Sequence, residues 1–316
     1  MHQRPRAPHP HRITRSRLGA LVHSSKYVTL FRMTRSVPTD AATDALPLGP
    51  QSLVWRYFGD NRMFLIGPRP AVLQNMLAEL GQGVLDHSVF FTDTAARVKR
   101  SLPPIFMTVY GAESDNPGQQ VRDFHLNIKG TMPDGNRYHA LDPETYFWAH
   151  ATFVEQVLYF ADTFVKRLTP QDKEQIYLES KTWYRRYGVS DRVMPADYAE
   201  FERYWNQMLD KVLTDHPTAK YGVGYVTKGF PCPNGVPPAL WRAISVVFNP
   251  LAAFLTTGGM PPSTRVQLGL PWSDRQERRY QRFAALCRSR PVNWAWDHVP
   301  MRLRYNKFAY AGYTRG

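Results

Sequence analysis

The sequence VRDFHLNIKG, residues 121–130, is the stretch around which the rest of the chain is organised. Its spacing predicts an amphipathic helix, because Phe124, His125 and Ile128 fall at i, i+1 and i+4 on one apolar face. Arg122 precedes His125 by three residues and is therefore expected one turn away. The closing glycine should end the helix, and the polar turn TMPDGNR follows. An imidazole on this face could bind a metal or a haem, or it could be a core histidine bonded to a carbonyl, and spacing alone leaves both open.

The positive charge of the chain is concentrated at its N-terminus. The 316 residues carry 40 Lys+Arg and 26 Asp+Glu, a formal net charge of +14. Eight of the basic residues and none of the acidic ones fall in the first 39 positions, so the remainder has 32 basic and 26 acidic residues, a net +6. That excess is ordinary for a soluble protein, so we expect no nucleic-acid partner. Residues 1–45 are predicted to be a disordered basic tail, with Met33 as an alternative start.

Cysteine usage and hydropathy indicate the cellular compartment. Cys232 and Cys287 are the only two cysteines, so a disulfide framework is not implied and a cytoplasmic location is expected. A membrane-spanning helix needs roughly 18 or more consecutive apolar residues. The nearest approach, residues 244–255, is interrupted by Asn249 and Pro250, and we therefore predict no transmembrane segment.

The hydrophobic periodicity is helical throughout, and alternating β patterns are scarce. The sequence therefore predicts an all-α fold, with a single large helical domain over residues 46–300 that holds its pocket between helices, followed by a basic aromatic C-terminal tail at 301–316. Asp93 is a candidate helix N-cap, and Pro103-Pro104 should disrupt or kink the helix that it starts. The predicted helices span residues 52–58, 68–90, 94–101, 142–167, 170–188, 195–213, 238–257 and 273–288.

Several familiar catalytic signatures are absent from the sequence. The chain has no GxGxxG motif before a helix, no Walker A motif, no GxSxG and no HExxH. Its carboxylates are scattered, and no two are placed to suggest a paired acid–base site. Histidines in or near apolar helical segments, namely His87, His125 and His150, are the remaining candidates for chemistry.

The order and spacing of several short motifs resemble those of the oxygenase MpaB and latex-clearing-protein (rubber oxygenase) family. Its characterised members are all-helical b-type haem proteins. The resemblance runs from about residue 55 to 213, and its pieces are GDNRMFL at 59–65, DHSVF at 86–90, DTAARVKRS at 93–101, VYG at 109–111, VRDFHLNIKG at 121–130, a GxxYxAxDP pattern at 135–143 and WAHATFVEQVL at 148–158.

The resemblance implies roles for particular residues on the two sides of a haem. His125 matches the proximal haem histidine, the metal ligand, within an R-x-x-H pattern that begins at Arg122. The distal R-x-x-K-T stretch of the rubber oxygenases matches Arg97, Arg100 and Ser101. Because a guanidinium stays charged, Arg100 cannot act as a displaceable neutral lysine would, and an open or water-bound sixth position is favoured. Ser101 keeps the hydroxyl of the family's threonine.

Two further family positions differ in how well they match. His150 corresponds to a second helix histidine, which implies packing or hydrogen bonding at the cofactor pocket. An ordinary core histidine is the alternative for this position. No glutamate of this chain aligns with the distal base of the rubber oxygenases, so the resemblance does not carry that mechanism over.

The resemblance implies a haem b-dependent oxygenase that uses O2 on an apolar small-molecule substrate. Isoprenoids and lipids are candidate substrates, and oxidative cleavage of a carbon–carbon double bond is a candidate reaction. Ferrous haem would bind O2 opposite His125, and Arg97 with Ser101 would polarise the bound oxygen. One alternative is a non-catalytic helical protein that binds haem or an apolar ligand. Another is a non-haem metal site using His125 and His150, although the Glu-x-x-His spacing of helical di-iron sites does not occur.

Overall fold

The computed structural model describes residues 44–88, 91–233 and 235–315, so almost all of the predicted tail at residues 1–45 lies outside the described residues. The all-α prediction is confirmed. The helices are α1 Leu53–Phe58, α2 Pro68–Asn75, α3 Ala78–His87, α4 Thr94–Tyr110, α5 Pro117–Asp123, α6 Pro143–Phe160, α7 Pro170–Arg185, α8 Tyr198–Gln207, α9 Pro217–Thr227, α10 Pro238–Gly259, α11 Pro262–Gln267, α12 Asp274–Cys287, α13 Arg290–Asp297, α14 Met301–Arg304 and α15 Lys307–Tyr313.

A small hairpin and several short helical segments complete the fold. Strands β1, Lys129–Thr131, and β2, Arg137–His139, pair antiparallel across the predicted polar turn. Short 3-10 helices cover Asn61–Ile66 and Glu113–Asp115. A π-helical segment follows α6 at Ala161–Val165 and another follows α8 at Met208–Val212.

Side-chain caps fix several of the helix starts. The Ser52 hydroxyl accepts a hydrogen bond from the Trp55 amide at the start of α1, and the Asp93 carboxylate accepts one from the Ala96 amide at the start of α4. Thr169 and Asp172 form a reciprocal capping box before α7. These bonds satisfy amides that have no partner within the helix, and for this reason cap residues in the sequence place helix starts well.

Prolines lie inside two of the helices. Pro103-Pro104 does not end the helix that Asp93 starts, because α4 continues to Tyr110, and α10 continues through Pro250 as the predicted helix over residues 238–257 does. A proline inside a helix leaves the carbonyl four residues earlier without its donor. In all three cases that earlier residue is exposed, so water can replace the missing N–H. The helix predicted over residues 68–90 is instead divided, since Leu77 adopts extended backbone between α2 and α3.

Helix α6 is the centre of the hydrophobic core. Twelve of its eighteen residues are buried, and it packs against α1, α2 and α7. Trp148 lies fully inside, where its indole N–H donates to the Leu73 carbonyl at 3.1 Å and its ring stacks on Trp205. Trp183 of α7 is also fully buried and donates to the Thr108 hydroxyl of α4 at 2.7 Å. These two large indoles are therefore buried with their polar atoms satisfied.

A buried arginine connects three elements around this core. Arg69 of α2 is 1% exposed, and its guanidinium forms a bidentate ion pair with Glu155 of α6. Its Nε donates to the Gly259 carbonyl at the end of α10 at 2.6 Å. The charged plane also lies over the ring of Tyr159 at 4.4 Å. Every face of this cation therefore has a partner, which offsets the cost of removing it from water.

The C-terminal segment packs against the helical domain. Residues 301–316, predicted as a tail, contain α14 and α15, and α15 contacts α4. The Asn306 amide donates to the Gly59 carbonyl at 2.9 Å, and Ala309 is fully buried. The Asp60 carboxylate accepts hydrogen bonds from Arg62 and from the Trp296 indole of α13. These contacts hold the C-terminal helices against the start of the domain.

One helix within the described ranges, α10, is long and apolar enough to cross a membrane by length and composition. The helix continues through Asn249 and Pro250, the two residues that interrupt its apolar run, and the Asn249 Oδ1 accepts a hydrogen bond from the Phe230 amide at 3.2 Å. The last turns of α10, from Leu255 to Gly259, are buried in the protein, while most of its first half is exposed.

Replacing the buried cation should test its structural role. We expect Arg69→Met to lower the free energy of unfolding by about 3–5 kcal/mol, since it leaves Glu155 as a largely buried carboxylate without its partner. Arg167→Met removes a pair with Asp162 in which the arginine is exposed, and should cost roughly 0–1 kcal/mol. Urea unfolding of both variants measures the difference, and equal losses would show that the Arg69 contacts have no special importance.

Candidate functional site

His125 lies just past the end of a helix, which corrects the sequence prediction. Helix α5 ends at Asp123, and residues 124–127 form a series of turns before β1. The amides of His125, Leu126 and Ile128 each bond to the carbonyl three residues earlier, so the chain tightens and then enters the hairpin. Phe124 is 65% exposed, so the predicted buried helical face does not exist at this position.

The His125 ring is held by its own backbone. Its Nδ1 lies 2.8 Å from the Val121 carbonyl oxygen, one turn earlier in α5. Since a carbonyl only accepts, this bond requires the proton on Nδ1 and leaves the lone pair of Nε2 available to a metal. Burial lowers the pKa of the imidazole, and the nearby Arg97 charge lowers it further. His125 is therefore a neutral imidazole with one fixed tautomer, which is the state that metal coordination requires.

The structure brings Arg97 of α4 close to His125. The Arg97 side chain is half-buried, and its Nε donates to the Ser88 hydroxyl at 2.7 Å. Burial lowers the pKa of Arg97, and the charge of Arg100 adds to the effect. Ser101 is half-buried one turn further along α4, whereas Arg100 is exposed. Of the three predicted distal residues, Arg97 and Ser101 therefore lie on the inner side of α4, and Arg100 lies on its solvent side.

Arg122 lies in the last turn of α5, three residues before the predicted axial histidine, and is already paired. Its guanidinium bonds to the adjacent Asp123 carboxylate, with Nη2 2.7 Å from Oδ1. Burial raises the pKa of Tyr146 of α6, and the positive charge of Arg122 acts against that shift. Asp123 is half exposed, so the pair is accessible to solvent and leaves the guanidinium able to exchange partners.

Three tyrosines, Tyr146, Tyr184 and Tyr187, form what we term the tyrosine cluster behind His125. The His125 ring meets Tyr146 edge to face with centroids 5.8 Å apart, and Tyr146 meets Tyr187 at 5.3 Å. The Tyr146 hydroxyl is buried and has no hydrogen-bond partner among the described residues. Burial raises its pKa well above the ordinary value. The sequence search missed this tyrosine, although its position four residues before His150 on the same helix was available as a signal.

His150 occupies the other side of the cluster. It is 3% exposed, and its ring contacts Tyr184 at 5.0 Å and Trp183 at 4.9 Å. Its Nε2 donates to the Ser180 carbonyl at 3.2 Å, while Nδ1 is buried and has no hydrogen-bond partner in the part of the chain that the structure describes. Burial lowers the pKa of His150 to about 3, so the ring is neutral. The tyrosine cluster connects the two histidines, since Tyr146 contacts His125 while Tyr184 and Tyr187 contact His150. No group of potential metal ligands within the described residues includes both imidazoles.

Close backbone packing positions α5, and with it His125. A Cβ on Gly118 would come within 2.2 Å of the Arg186 carbonyl oxygen, so only glycine allows this contact between α5 and the end of α7. The Arg186 guanidinium donates to the Thr108 and Val109 carbonyls near the end of α4, each at 3.0 Å. Arg186 thus contacts both the start of α5 and the C-terminal end of α4, the two helices next to the candidate site.

Other candidate sites in the fold lie apart from these residues. A cavity of about 340 Å³ is lined mainly by basic and aromatic residues of the C-terminal packing, among them Arg62, Trp296 and Arg304, and none of the predicted site residues lines it. Across residues 44–88, 91–233 and 235–315, no group of three or more histidine, cysteine or acidic side chains is placed to hold a metal ion. The non-haem alternative with His125 and His150 is therefore not supported by further ligands.

Comparison with known proteins assigns the chain to a family. The family described as "ER-bound oxygenase mpaB/B'/Rubber oxygenase, catalytic domain" matches residues 55–289. The chain belongs to this family. An uncharacterized protein of Mycobacterium tuberculosis is 25% identical over 226 residues, which cover 69% of this chain and 84% of that protein. An uncharacterized protein of Mycobacterium bovis is similar to the same extent. No solved structure matches the chain.

Membership in the mpaB/rubber oxygenase family makes the chain an oxygenase catalytic domain and, in general terms, an oxidoreductase. The matched range extends well beyond residue 213, where the motif resemblance faded, and includes α9 to α12. A small-molecule substrate and O2 are the reactants that such a domain suggests.

The donor set of the site fits the haem that the family implies. Nε2 of His125 has the free lone pair of an axial ligand, and Arg97 and Arg122 offer positive charge for carboxylates. Exposed apolar side chains adjoin these residues in the chain, with Phe124 and Leu126 beside His125 and Val98 beside Arg97. A neutral imidazole, cations and apolar surface together are the features that haem binding needs.

The buried state of His150 should appear in the pH dependence of stability. Its pKa of about 3 in the fold lies below the ordinary 6.5, so the unfolded chain takes up a proton that the folded chain refuses. This contribution is complete above pH 6.5 and is lost as pH falls toward 3. Between pH 7.5 and 5 the wild type should lose about 2 kcal/mol more than His150→Gln in urea unfolding.

The matched control for this measurement is His298→Gln, because His298 is exposed. It should retain the wild-type dependence on pH. Parallel curves for the wild type and His150→Gln would contradict the assignment of His150 as a neutral buried ring.

Proposed function

We propose that the chain is a haem b-dependent oxygenase that acts with O2 on an apolar substrate, with isoprenoids or lipids as candidates. The observation that carries the proposal is the state of His125, whose Nδ1 bonds to the Val121 carbonyl while the ring stays neutral beside Arg97. Bound haem would supply the activation of dioxygen, which side chains alone do not provide. Oxidative cleavage of a carbon–carbon double bond is the candidate reaction, by analogy with the family.

His125 would hold the iron through Nε2. The Val121 carbonyl orients the ring and increases its basicity by accepting a hydrogen bond from Nδ1–H, as second-sphere carbonyls do for metal-bound imidazoles. The edge contact with Tyr146 restricts rotation of the ring from the other side. An imidazole held by these two contacts loses little conformational entropy when it coordinates the iron.

Arg97 and Ser101 would act as hydrogen-bond donors on the side where oxygen reacts. Both are half-buried on α4, one turn apart, and the Ser88 hydroxyl already holds the Arg97 guanidinium. A partly desolvated cation stabilises developing negative charge on oxygen more strongly than an exposed one. Arg100, which is exposed, fits electrostatic support of this side better than contact with the iron.

The cofactor assignment is tested by haem content. Wild type expressed with ample haem should contain near-stoichiometric haem b in a pyridine haemochrome assay, and His125→Ala should lose most of it because the axial ligand is gone. His139→Ala removes another histidine of the same hairpin region and should keep its haem. A wild-type protein without haem, or an unchanged haem content in His125→Ala, would contradict the proposal.

Turnover separates the oxygenase from a non-catalytic haem-binding protein. With apolar alkenes as probes, the wild type should consume O2 together with the alkene. Ser101→Ala should keep its haem and lower kcat by roughly 10- to 100-fold, since one hydrogen-bond donor to the reacting oxygen is removed. Haem-loaded wild type that consumes no O2 with any alkene would favour the binding protein.

A further inference from the structure

The first half of α10 presents an apolar surface to solvent. Its exposed side chains include Val246 and Val247 at 72% and 70%. The other members of this surface, which we term the α10 apolar face, are Leu240, Ile244, Phe248 and Leu251. Single exposed apolar residues need no explanation, but a contiguous group of six on one helix marks an interaction site.

The polarity of α10 is reversed relative to an ordinary surface helix. Trp241, Ser245 and Asn249, spaced at i, i+4 and i+8, are the less exposed positions. Asn249 contacts the loop after α9, where its Oδ1 accepts from the Phe230 amide. Ser245 and Asn249 are thus turned toward the protein, while the large apolar side chains face solvent beside the exposed Arg242. This arrangement is suited to the boundary of an apolar surrounding.

The surroundings of the α10 apolar face are positively charged. No aspartate or glutamate occurs between Asp215 and Asp274, whereas Lys220, Lys228, Arg242 and Arg265 all lie in this interval. Arg242 belongs to the exposed half of the helix itself. Lys220 pairs with Asp215 and Arg265 pairs with Glu277, which leaves Lys228 and the exposed Arg242 as the cations of this interval without a carboxylate partner among the described residues. Apolar residues beside these two cations match the chemistry of an anionic lipid surface.

Aromatic rings border the same face. Phe248 lies 5.7 Å from Phe230 and 5.9 Å from Trp241, and Phe230 continues the chain of contacts to Tyr225 at 5.4 Å. Tryptophan and tyrosine favour the boundary between apolar and polar layers of a bilayer, because their rings are apolar and their tips are polar.

We propose that the α10 apolar face docks on an anionic lipid bilayer, lying in its interface. The exposed half, residues 238–251, is about 21 Å long at 1.5 Å per residue, shorter than the roughly 30 Å hydrocarbon core. The remaining turns are held in the protein, where the Gly259 carbonyl accepts from Arg69. The helix therefore enters the interface along its side and does not cross the membrane. None of the candidate site residues takes part, so the proposal does not rest on haem.

The charges disfavour two other occupants of the face. A second copy of the chain would bring Arg242 and its basic neighbours against their own like charges. The N-terminal 39 residues contain eight basic and no acidic residues, so they carry the same sign. An anionic bilayer is the occupant whose charge complements that of the face.

Vesicle sedimentation tests the proposal on the full chain. It should pellet with vesicles of equal parts phosphatidylcholine and phosphatidylglycerol, less with phosphatidylcholine alone, and less at high salt. Val247→Asp should lower the partition coefficient about tenfold, since it places a charge in the docked face. Val266→Asp makes the same change at an 81% exposed valine of α11 and should stay within about twofold of wild type.

Circular dichroism and the thermal unfolding midpoint establish that both variants are folded. The proposal fails if wild type binds neither vesicle, or if the two aspartate variants weaken binding equally. It also fails if wild type is a dimer that Val247→Asp converts to a monomer, because the occupant is then a second copy. Resistance of the bound protein to alkaline carbonate extraction would replace docking with membrane crossing.

Discussion

The buried ion pair between Arg69 and Glu155 is the interaction on which the arrangement of this fold depends. A guanidinium that is 1% exposed requires a carboxylate, carbonyl and aromatic partner together, and α2, α6 and α10 can supply them only in one relative position. Such a constraint specifies geometry more than it adds stability, because desolvation offsets much of the attraction. Helix α6 is fixed in this way at its C-terminal half, and the end of α10 is fixed with it.

The fixed position of α6 determines what lies behind the candidate axial ligand. Tyr146 and His150 project from the same helix four residues apart, and the rings of α7 complete the tyrosine cluster between them. Two buried polar atoms of this region, the Tyr146 hydroxyl and His150 Nδ1, lack hydrogen-bond partners within residues 44–88, 91–233 and 235–315. Unsatisfied buried polar groups are costly, and they concentrate where function requires them. The Arg69 contact holds only the end of α10, so the exposed first half of that helix can contact surroundings other than the protein core.

Sequence reasoning found what local chemistry specifies and missed what tertiary contacts decide. Asp93 was a sound marker of a helix start because a cap bonds within its own turn. The placement of His125 on a helical face was wrong because pairing of β1 with β2 draws the chain out of α5, and that pairing depends on residues further along. The contact of Arg97 with the His125 environment followed from a family resemblance and not from any spacing in the chain. The apolar composition of α10 was visible in the sequence, but only the fold shows which of its residues face the protein and which face solvent.

The central claim is that Nε2 of His125 is the protein ligand to haem iron. The most direct measurement is resonance Raman spectroscopy of the ferrous protein, with iron isotope substitution to identify the iron–imidazole stretch. The account predicts that this band is present in wild type, absent in His125→Gly, and restored when free imidazole is added to that variant. A band that persists unchanged in His125→Gly without added imidazole would show that another residue binds the iron, and it would contradict the account.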